Sequence, residues 1–312
     1  MLLKNASVAK ISCRSDLHRT TIALHGGKMQ TWHLDKLRNS AQAEGHGVIT
    51  MSDIDLYTSS PLFRIRGHIV TTVKDDHGEV IVIDNKTFRI MSFDRIFEQS
   101  KMQKNHSALP VHFYIRAMLM AVALTPAKRV LLLGLGGGSL VRALFARDPD
   151  IVIDVVELRH AVLAVAQDYF HLPVSEHIHY QVADAGEAIA RETGRRYSLI
   201  FSDLYSANAI APLQTSESFL RHCAAKLEDG GWLVLNHAHK PEANSPFSCA
   251  LTALFTTVLY CTTPTGNVVI YASSSQSSHP LAGWQQQMKE TGSDFATDMS
   301  PLAQKLTFWP GP

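Results

Sequence analysis

Residues 129–139 read Arg-Val-Leu-Leu-Leu-Gly-Leu-Gly-Gly-Gly-Ser. A short apolar run that ends in spaced glycines predicts a buried parallel strand turning sharply into a helix. The chain then keeps one rhythm. Strands are expected over 129–133, 151–156, 179–182, 199–201 and 232–235. Helices are expected between and after them, over 140–147, 161–170, 185–193, 216–227 and 247–255. Strands alternating with helices imply a parallel sheet covered on both faces. Residues 258–261 and 268–272 flank a Pro/Thr/Gly/Asn turn and predict a closing hairpin. The fold expected is α/β, a doubly wound, Rossmann-like sheet of the class I methyltransferase type, ending in antiparallel pairing.

Upstream, residues 79–83 and 88–93 read as strands around the turn signal Asp84-Asn85. Phe63, Ile65 and Gly67 alternate with Arg64 and Arg66, the period of a half-buried strand. A small antiparallel β domain is therefore expected over 60–107. The α/β domain, over 108–273, would open with an apolar helix running from Pro110 to Leu124 and stopping before Pro126. Residues 1–59 are poorly patterned. Met51 opens a better-patterned stretch, so two translation starts, Met1 and Met51, are open. Residues 274–312, Ser/Gln-rich at first, are read as a tail.

With 29 Lys+Arg against 28 Asp+Glu, the net charge of +1 gives no global field toward nucleic acid or an anionic surface. No apolar run reaches the roughly 18 residues of a membrane span. The N-terminus lacks the apolar region of a secretory signal. The four cysteines, Cys13, Cys223, Cys249 and Cys261, form no C-x-x-C pair and are read as reduced thiols of a cytoplasmic protein. His177/His179 and His237/His239 lack a third ligand at metal-site spacing, so no metal is expected.

The chemistry concentrates at strand ends. A dinucleotide site of the form G-x-G-x-x-G would need its last glycine where Ser139 stands. An S-adenosyl site of the form G-x-G-x-G is supplied by Gly134, Gly136 and Gly138. Glu157 ends the second strand, where an ionised carboxylate can accept from both ribose hydroxyls. Asp184, in Val182-Ala-Asp-Ala185, can accept from an adenine amine, cap the following helix, or do both. Asp203 follows the fourth strand, at the sheet edge where ligands of open α/β folds bind. Tyr205 beside it is either a substrate wall or packing.

These residues carry a resemblance. Gln99-Ser100, Tyr114 with Met118, the turn from Gly134 to Leu140, Val156-Glu-Leu158, Ala183-Asp184, Asp203, Leu213 and Thr215 with Phe219, and Gly230-Gly231 are similar to the spermidine synthase family of polyamine aminopropyltransferases, in particular its divergent bacterial relatives. The small β domain ahead of the α/β domain matches that family's plan. The resemblance covers about residues 60–273. It implies nucleoside contacts from Gln99, Tyr114, Glu157, Asp184, Ala185 and the glycine turn. It implies a role for Asp203, with Tyr205, in holding and deprotonating an attacking amine. It also implies a dimer. Three acids of the family's site are absent: Gly137 stands where the glycine turn carries Asp, Ser206 where the substrate loop carries a second acid, and no Glu accompanies His112, Phe113 and Tyr114. Four readings are open. One is aminopropyl transfer from decarboxylated S-adenosylmethionine to a small-molecule amine. Another is methyl transfer from intact S-adenosylmethionine. The others are a non-catalytic nucleoside binder and, disfavoured by Ser139, a nicotinamide oxidoreductase.

Overall fold

The computed structural model describes residues 65–206, 209–276 and 279–310, with two further strands, β1 (Thr20–Ala23) and β2 (Met29–Trp32), paired antiparallel. The start at Met51, Cys13 and the strand pattern at Phe63 lie outside the described residues. Two compact units emerge. One comprises residues 1–66 with 95–97, in which the Ile65 N–H bonds the Arg95 carbonyl at 2.8 Å. The other comprises residues 67–94 and 98–312 and contains both a four-stranded and an eight-stranded sheet.

Its first part is the antiparallel four-stranded sheet, β3 (His68–Asp75), β4 (Gly78–Asp84), β5 (Phe88–Ser92) and β6 (Ser100–Gln103), in that order. β4 and β5 meet the expectation; β3 begins at His68, after the alternation at 63–67 that lies partly outside the described residues, and β6 was not foreseen. This sheet belongs to the same compact unit as the α/β fold. Arg159 of the α/β part donates to Asp75 at 2.7 Å and to the Gly78 carbonyl at 2.9 Å, and stacks on Phe93.

β11 (Tyr205–Ser206) and β12 (Ala209–Ile210) form a two-stranded ribbon of their own, and the large sheet, which ends on β16 (Leu306–Phe308), has the order β16-β14-β15-β13-β10-β7-β8-β9. Strands β7 (Arg129–Leu133), β8 (Val152–Glu157), β9 (Ile178–Val182), β10 (Tyr197–Ser202) and β13 (Leu227–His237) run parallel. β14 (Thr257–Thr262) and β15 (Val268–Ser273) form the closing hairpin, and β15 pairs antiparallel with β13. Both faces are covered. Val130 and Leu132 pack in one core cluster, Leu131 and Leu133 in the other. This two-sided burial is why the strand reads as an unbroken apolar run. Helix α1 (Phe113–Leu119) continues as a 3-10 turn (Met120–Ala123) and is held to the sheet by Tyr271, whose hydroxyl donates to the Ala117 carbonyl at 2.6 Å. The other helices are α2 (Ser139–Arg147), α3 (His160–Tyr169), α4 (Ala185–Ala190), α5 (Glu217–Lys226) and α6 (Pro246–Leu254).

The segment read as a tail is part of the core. Residues Leu281–Glu290 form α7, Ser300–Ala303 form α8, and Leu306–Phe308 form β16, which pairs with β14. Trp284, Met288, Met299 and Leu302 are buried. Their apolar residues are spread thinly among Gln, Ser and Thr, so neither a strand nor a helix period stands out in the sequence. Among the described residues no helix is long and apolar enough to cross a membrane, and no group of three or more His, Cys, Asp or Glu comes together as a metal site.

One buried group sets an acid limit. His237, 2% exposed, lies against Phe247 with its Nε2 unpartnered, and burial pushes its pKa down to about 4. The unfolded chain takes up that proton near 6.5, the folded chain only near 4. Stability is thus full above about pH 6.5 and falls as pH drops toward 4, by at most about 3 kcal/mol for this group. Denaturant unfolding at about pH 7 and about pH 4.5 should show a smaller loss for His237→Phe than for the parent chain. Equal losses would remove His237 from the acid response.

Candidate active site

The carboxyl ends of the parallel strands share one edge. β7 lies between β10 and β8, the point at which successive connections leave in opposite directions, where open α/β sheets bind ligands. A cleft opens there, lined by Gln99, Ser100, Tyr114, Gly134, Gly136 and Asp203 among others. Five residues picked from the sequence are thereby gathered from four segments of the chain. A larger hollow lined by Asp154, His179, Arg191 and Arg195 lies among β8, β9, β10 and α4, away from the glycine turn.

The three glycines of the turn do different things. Each has positive φ, +94° at Gly134, +53° at Gly136 and +74° at Gly138, which L side chains rarely adopt. A Cβ on Gly134 would lie 2.5 Å from the Asp203 carbonyl oxygen, and one on Gly138 would strike Leu172. Those two are demanded by packing. At Gly136 the nearest atom to such a Cβ is 3.8 Å away, so this position leaves room at the cleft. Gly137, which stands where the family's turn carries an acid, is closed off by the protein itself: a Cβ there would meet Ser100 Oγ at 2.7 Å and Phe170 Cδ1 at 2.9 Å. An aspartate would have to displace both.

Behind the turn lies a residue that no sequence motif marks. Arg142, 4% exposed, donates to the carbonyls of Ser107 (2.7 Å), Phe170 (2.9 Å) and Gly137, and to Ser139 Oγ (3.3 Å). All four acceptors are neutral. Burial lowers its pKa to about 10, so it stays charged at neutral pH.

Glu157 ends β8 as expected and is 9% exposed. Its Oε2 accepts from the Leu135 N–H at 3.0 Å and its Oε1 from the Arg159 N–H at 2.9 Å. Burial raises its pKa, and these backbone donors partly offset that. The Gly136 N–H also bonds the carboxylate, and a lone pair left over can accept a further donor such as a ribose hydroxyl. Leu158 beside it is half exposed, an apolar surface at the same edge. Asp184 caps α4, its Oδ1 accepting from the Glu187 N–H at 3.0 Å, while its side chain remains exposed; Ala185 is the buried first residue of that helix.

Asp203 sits one residue beyond β10. Its Oδ1 accepts from Asn236 Nδ2 at 2.8 Å, and Tyr114 also donates to the carboxylate. Burial pushes its pKa up to about 6, and the two donors hold it from rising further. Tyr114 and Tyr205 are pushed upward by burial and by the negative charge of Asp203, so both stay protonated donors. The Tyr205 hydroxyl lies 3.4 Å from the Asn236 carbonyl, a weak contact. Asn236 does not stand out in the sequence. Its signal is its place at the carboxyl end of β13, beside the strand that carries Asp203.

The fold and this edge site define the class as an α/β protein of the class I methyltransferase type. No family model matches the chain. The chain is 27% identical over 186 residues to the polyamine aminopropyltransferase of Vibrio vulnificus, a match covering 57% of this chain and 62% of that relative's length. In structure it is similar to a probable spermidine synthase from Corynebacterium glutamicum, with a TM-score of 0.62 at 15% identity over 72% of this chain and 86% of that one. It is also similar to human methyltransferase-like protein 13 in complex with SAH, with a TM-score of 0.54 at 22% identity over 60% of this chain and 94% of that one. The chain is thus similar, at low identity, to polyamine aminopropyltransferases in sequence and to a probable spermidine synthase in fold.

Proposed function

We propose that the chain is a transferase that moves the aminopropyl group of decarboxylated S-adenosylmethionine to a small amine. The observation that carries this reading is Asp203: a part-buried carboxylate held by Asn236 and Tyr114 at the edge of the glycine-turn cleft. The relative in Vibrio vulnificus is named for this activity, and one protein of similar fold is described in complex with SAH, in line with an S-adenosyl ligand. In this reading Glu157 takes the ribose hydroxyls, Asp184 and Ala185 the adenine, and Gln99, Tyr114 and the glycine turn the rest of the donor.

The chemistry asks little else of the protein. An alkyl amine has a pKa near that of Lys, about 10.4, and arrives protonated. Asp203, ionised above about pH 6, attracts the ammonium and accepts or relays its proton. The neutral nitrogen attacks the carbon bonded to the sulfonium. The carbon–sulfur bond breaks with its electron pair going to sulfur, which leaves as a neutral thioether. Alignment of nitrogen, carbon and sulfur supplies much of the remaining rate. A cytoplasmic homodimer belongs to the same proposal.

A second reading, methyl transfer from intact S-adenosylmethionine, has its own support. The position where an acid would hold the aminopropyl ammonium is Gly137, and the Gly137 carbonyl accepts from the buried cation Arg142 behind the turn. That arrangement suits a carboxylate on the donor tail. Calorimetric binding of the two donors, followed by mass spectrometry of products with a panel of amines, separates the readings. Tighter binding of the decarboxylated donor with aminopropylated product is the expected result. Tighter binding of the intact donor with methylated product would replace the first reading by the second, and binding of neither would end both.

A further inference from the structure

The network around Asp203 has a member that contacts neither Asp203 nor the cleft. Gln214 lies in a 3-10 turn (Pro212–Thr215) and has no exposed surface. Its Oε1 accepts from Ser202 Oγ at 2.6 Å and from the Leu204 N–H at 3.2 Å. One oxygen thus bonds both chain neighbours of Asp203. Its Nε2 donates to the Asn236 carbonyl at 2.8 Å, and Asn236 Nδ2 in turn donates to Asp203 Oδ1 at 2.8 Å. Asn267 completes the network by donating to Asn236 Oδ1 at 3.2 Å. Ser202 and Leu235 are the last residues paired between β10 and β13, so Asp203 and Asn236 lie one step past the end of that ladder, Asn236 being still paired with Val269 of β15 on its other side. Gln214 bridges that step.

We propose that Gln214 is a positioning residue whose amide locks the ends of β10 and β13 together, and so fixes the Asp203 carboxylate and its Asn236 donor in the geometry that meets the acceptor amine. This rests on the role of Asp203 as the group that meets the amine. The requirement on residue 214 is narrow. It must accept two hydrogen bonds at one end and donate at the other, without charge. Among side chains of this reach, a primary amide does both. A hydrocarbon leaves the Ser202 hydroxyl, the Leu204 N–H and the Asn236 carbonyl buried without this partner. A carboxylate has no proton for the Asn236 carbonyl and brings a second negative charge toward Asp203.

The test is the titration of the Asp203 carboxyl, followed by carbon-13 NMR of aspartate-labelled full chain and assigned with Asp203→Asn. In Gln214→Leu the midpoint should rise from about 6 by about one unit, because a disordered Asn236 no longer donates to the charged form. In Gln214→Glu, which keeps the shape, like-charge repulsion should raise it at least as far. Turnover should fall roughly tenfold or more while donor affinity stays unchanged. A merely structural role would lower the melting temperature of both variants and leave the midpoint in place; that result overturns the proposal. Should the leucine variant not fold, the isosteric glutamate variant decides alone. If the parent chain transfers nothing from any S-adenosyl donor, the transferase reading fails separately, because the titration needs no turnover.

Discussion

Asp203→Asn is expected to abolish turnover and, at the same time, to stabilise the fold. The folded carboxyl titrates at about 6 because burial disfavours its charge, while in the unfolded chain it titrates at its ordinary value of 3.8. The folded state therefore holds a proton that the unfolded state has lost between those limits, and stability declines as pH rises from 3.8 to about 6 and stays lower above. The ionised carboxylate costs about 3 kcal/mol at most, and about 1–3 after allowing for its partly accessible rim. Asparagine keeps an oxygen for the Asn236 and Tyr114 donors and carries no charge. Its melting temperature at about pH 7 should exceed that of the parent chain by roughly 2–10 °C. The gap should close as pH falls through about 6 toward 4. Turnover should drop by roughly 100-fold or more, the scale of a lost general base, with nucleoside affinity nearly intact. An unchanged rate would remove Asp203 from the mechanism. Unchanged stability at neutral pH would mean that its charge is better solvated than its surroundings suggest.

The second large effect is at Glu157. Both oxygens already accept a backbone N–H, from Leu135 and from Arg159. In Glu157→Gln the amide nitrogen must face one of those donors, so a substitution that is conservative elsewhere is disruptive here. Glu157→Ala removes the acceptors altogether. Either variant should weaken nucleoside binding by roughly 1.5–3 kcal/mol, about 10- to 150-fold, the range for a hydrogen bond to a charged group. Titration calorimetry with S-adenosyl nucleosides measures this directly. Parent-like affinity in Glu157→Gln would place the ribose elsewhere.

The α/β region was legible because its strands are buried on both faces and its helices are amphipathic, so each leaves its own period. The eight-stranded sheet's parallel half follows those periods closely. β13 is longer than the run 232–235 suggested, extending back to Leu227 through Gly230 and Gly231, which the sequence marks as a turn. The residues at the strand ends were legible for the same reason: once a strand's end is known, the acid beside it is at the ligand edge. Gln99, Tyr114, Gly134, Gly136 and Asp203 do come together there. The C-terminal residues were not legible. Trp284, Met288 and Trp309 are buried by what packs against them, not by any local repeat. Arg142, Asn236 and Gln214 were missed on similar grounds. A polar residue within an apolar helix or at a strand end declares nothing until its partners, many of them 10 to 35 positions away in sequence, are brought next to it.

By itself the sequence determined the alternation of strands and helices, the sharp turn after β7 and the acids that end β8 and β10. These are local properties, set by side-chain period and by the backbone freedom of glycine. Only the tertiary structure decided that two of the turn's glycines answer to packing, that Ser100 and Phe170 close the place of a missing acid, and that Asp203 is desolvated enough to titrate near neutrality. Each of those is a relation between segments far apart in the chain. Close approach and desolvation exist only once the segments are packed together, so no single stretch of sequence carries them.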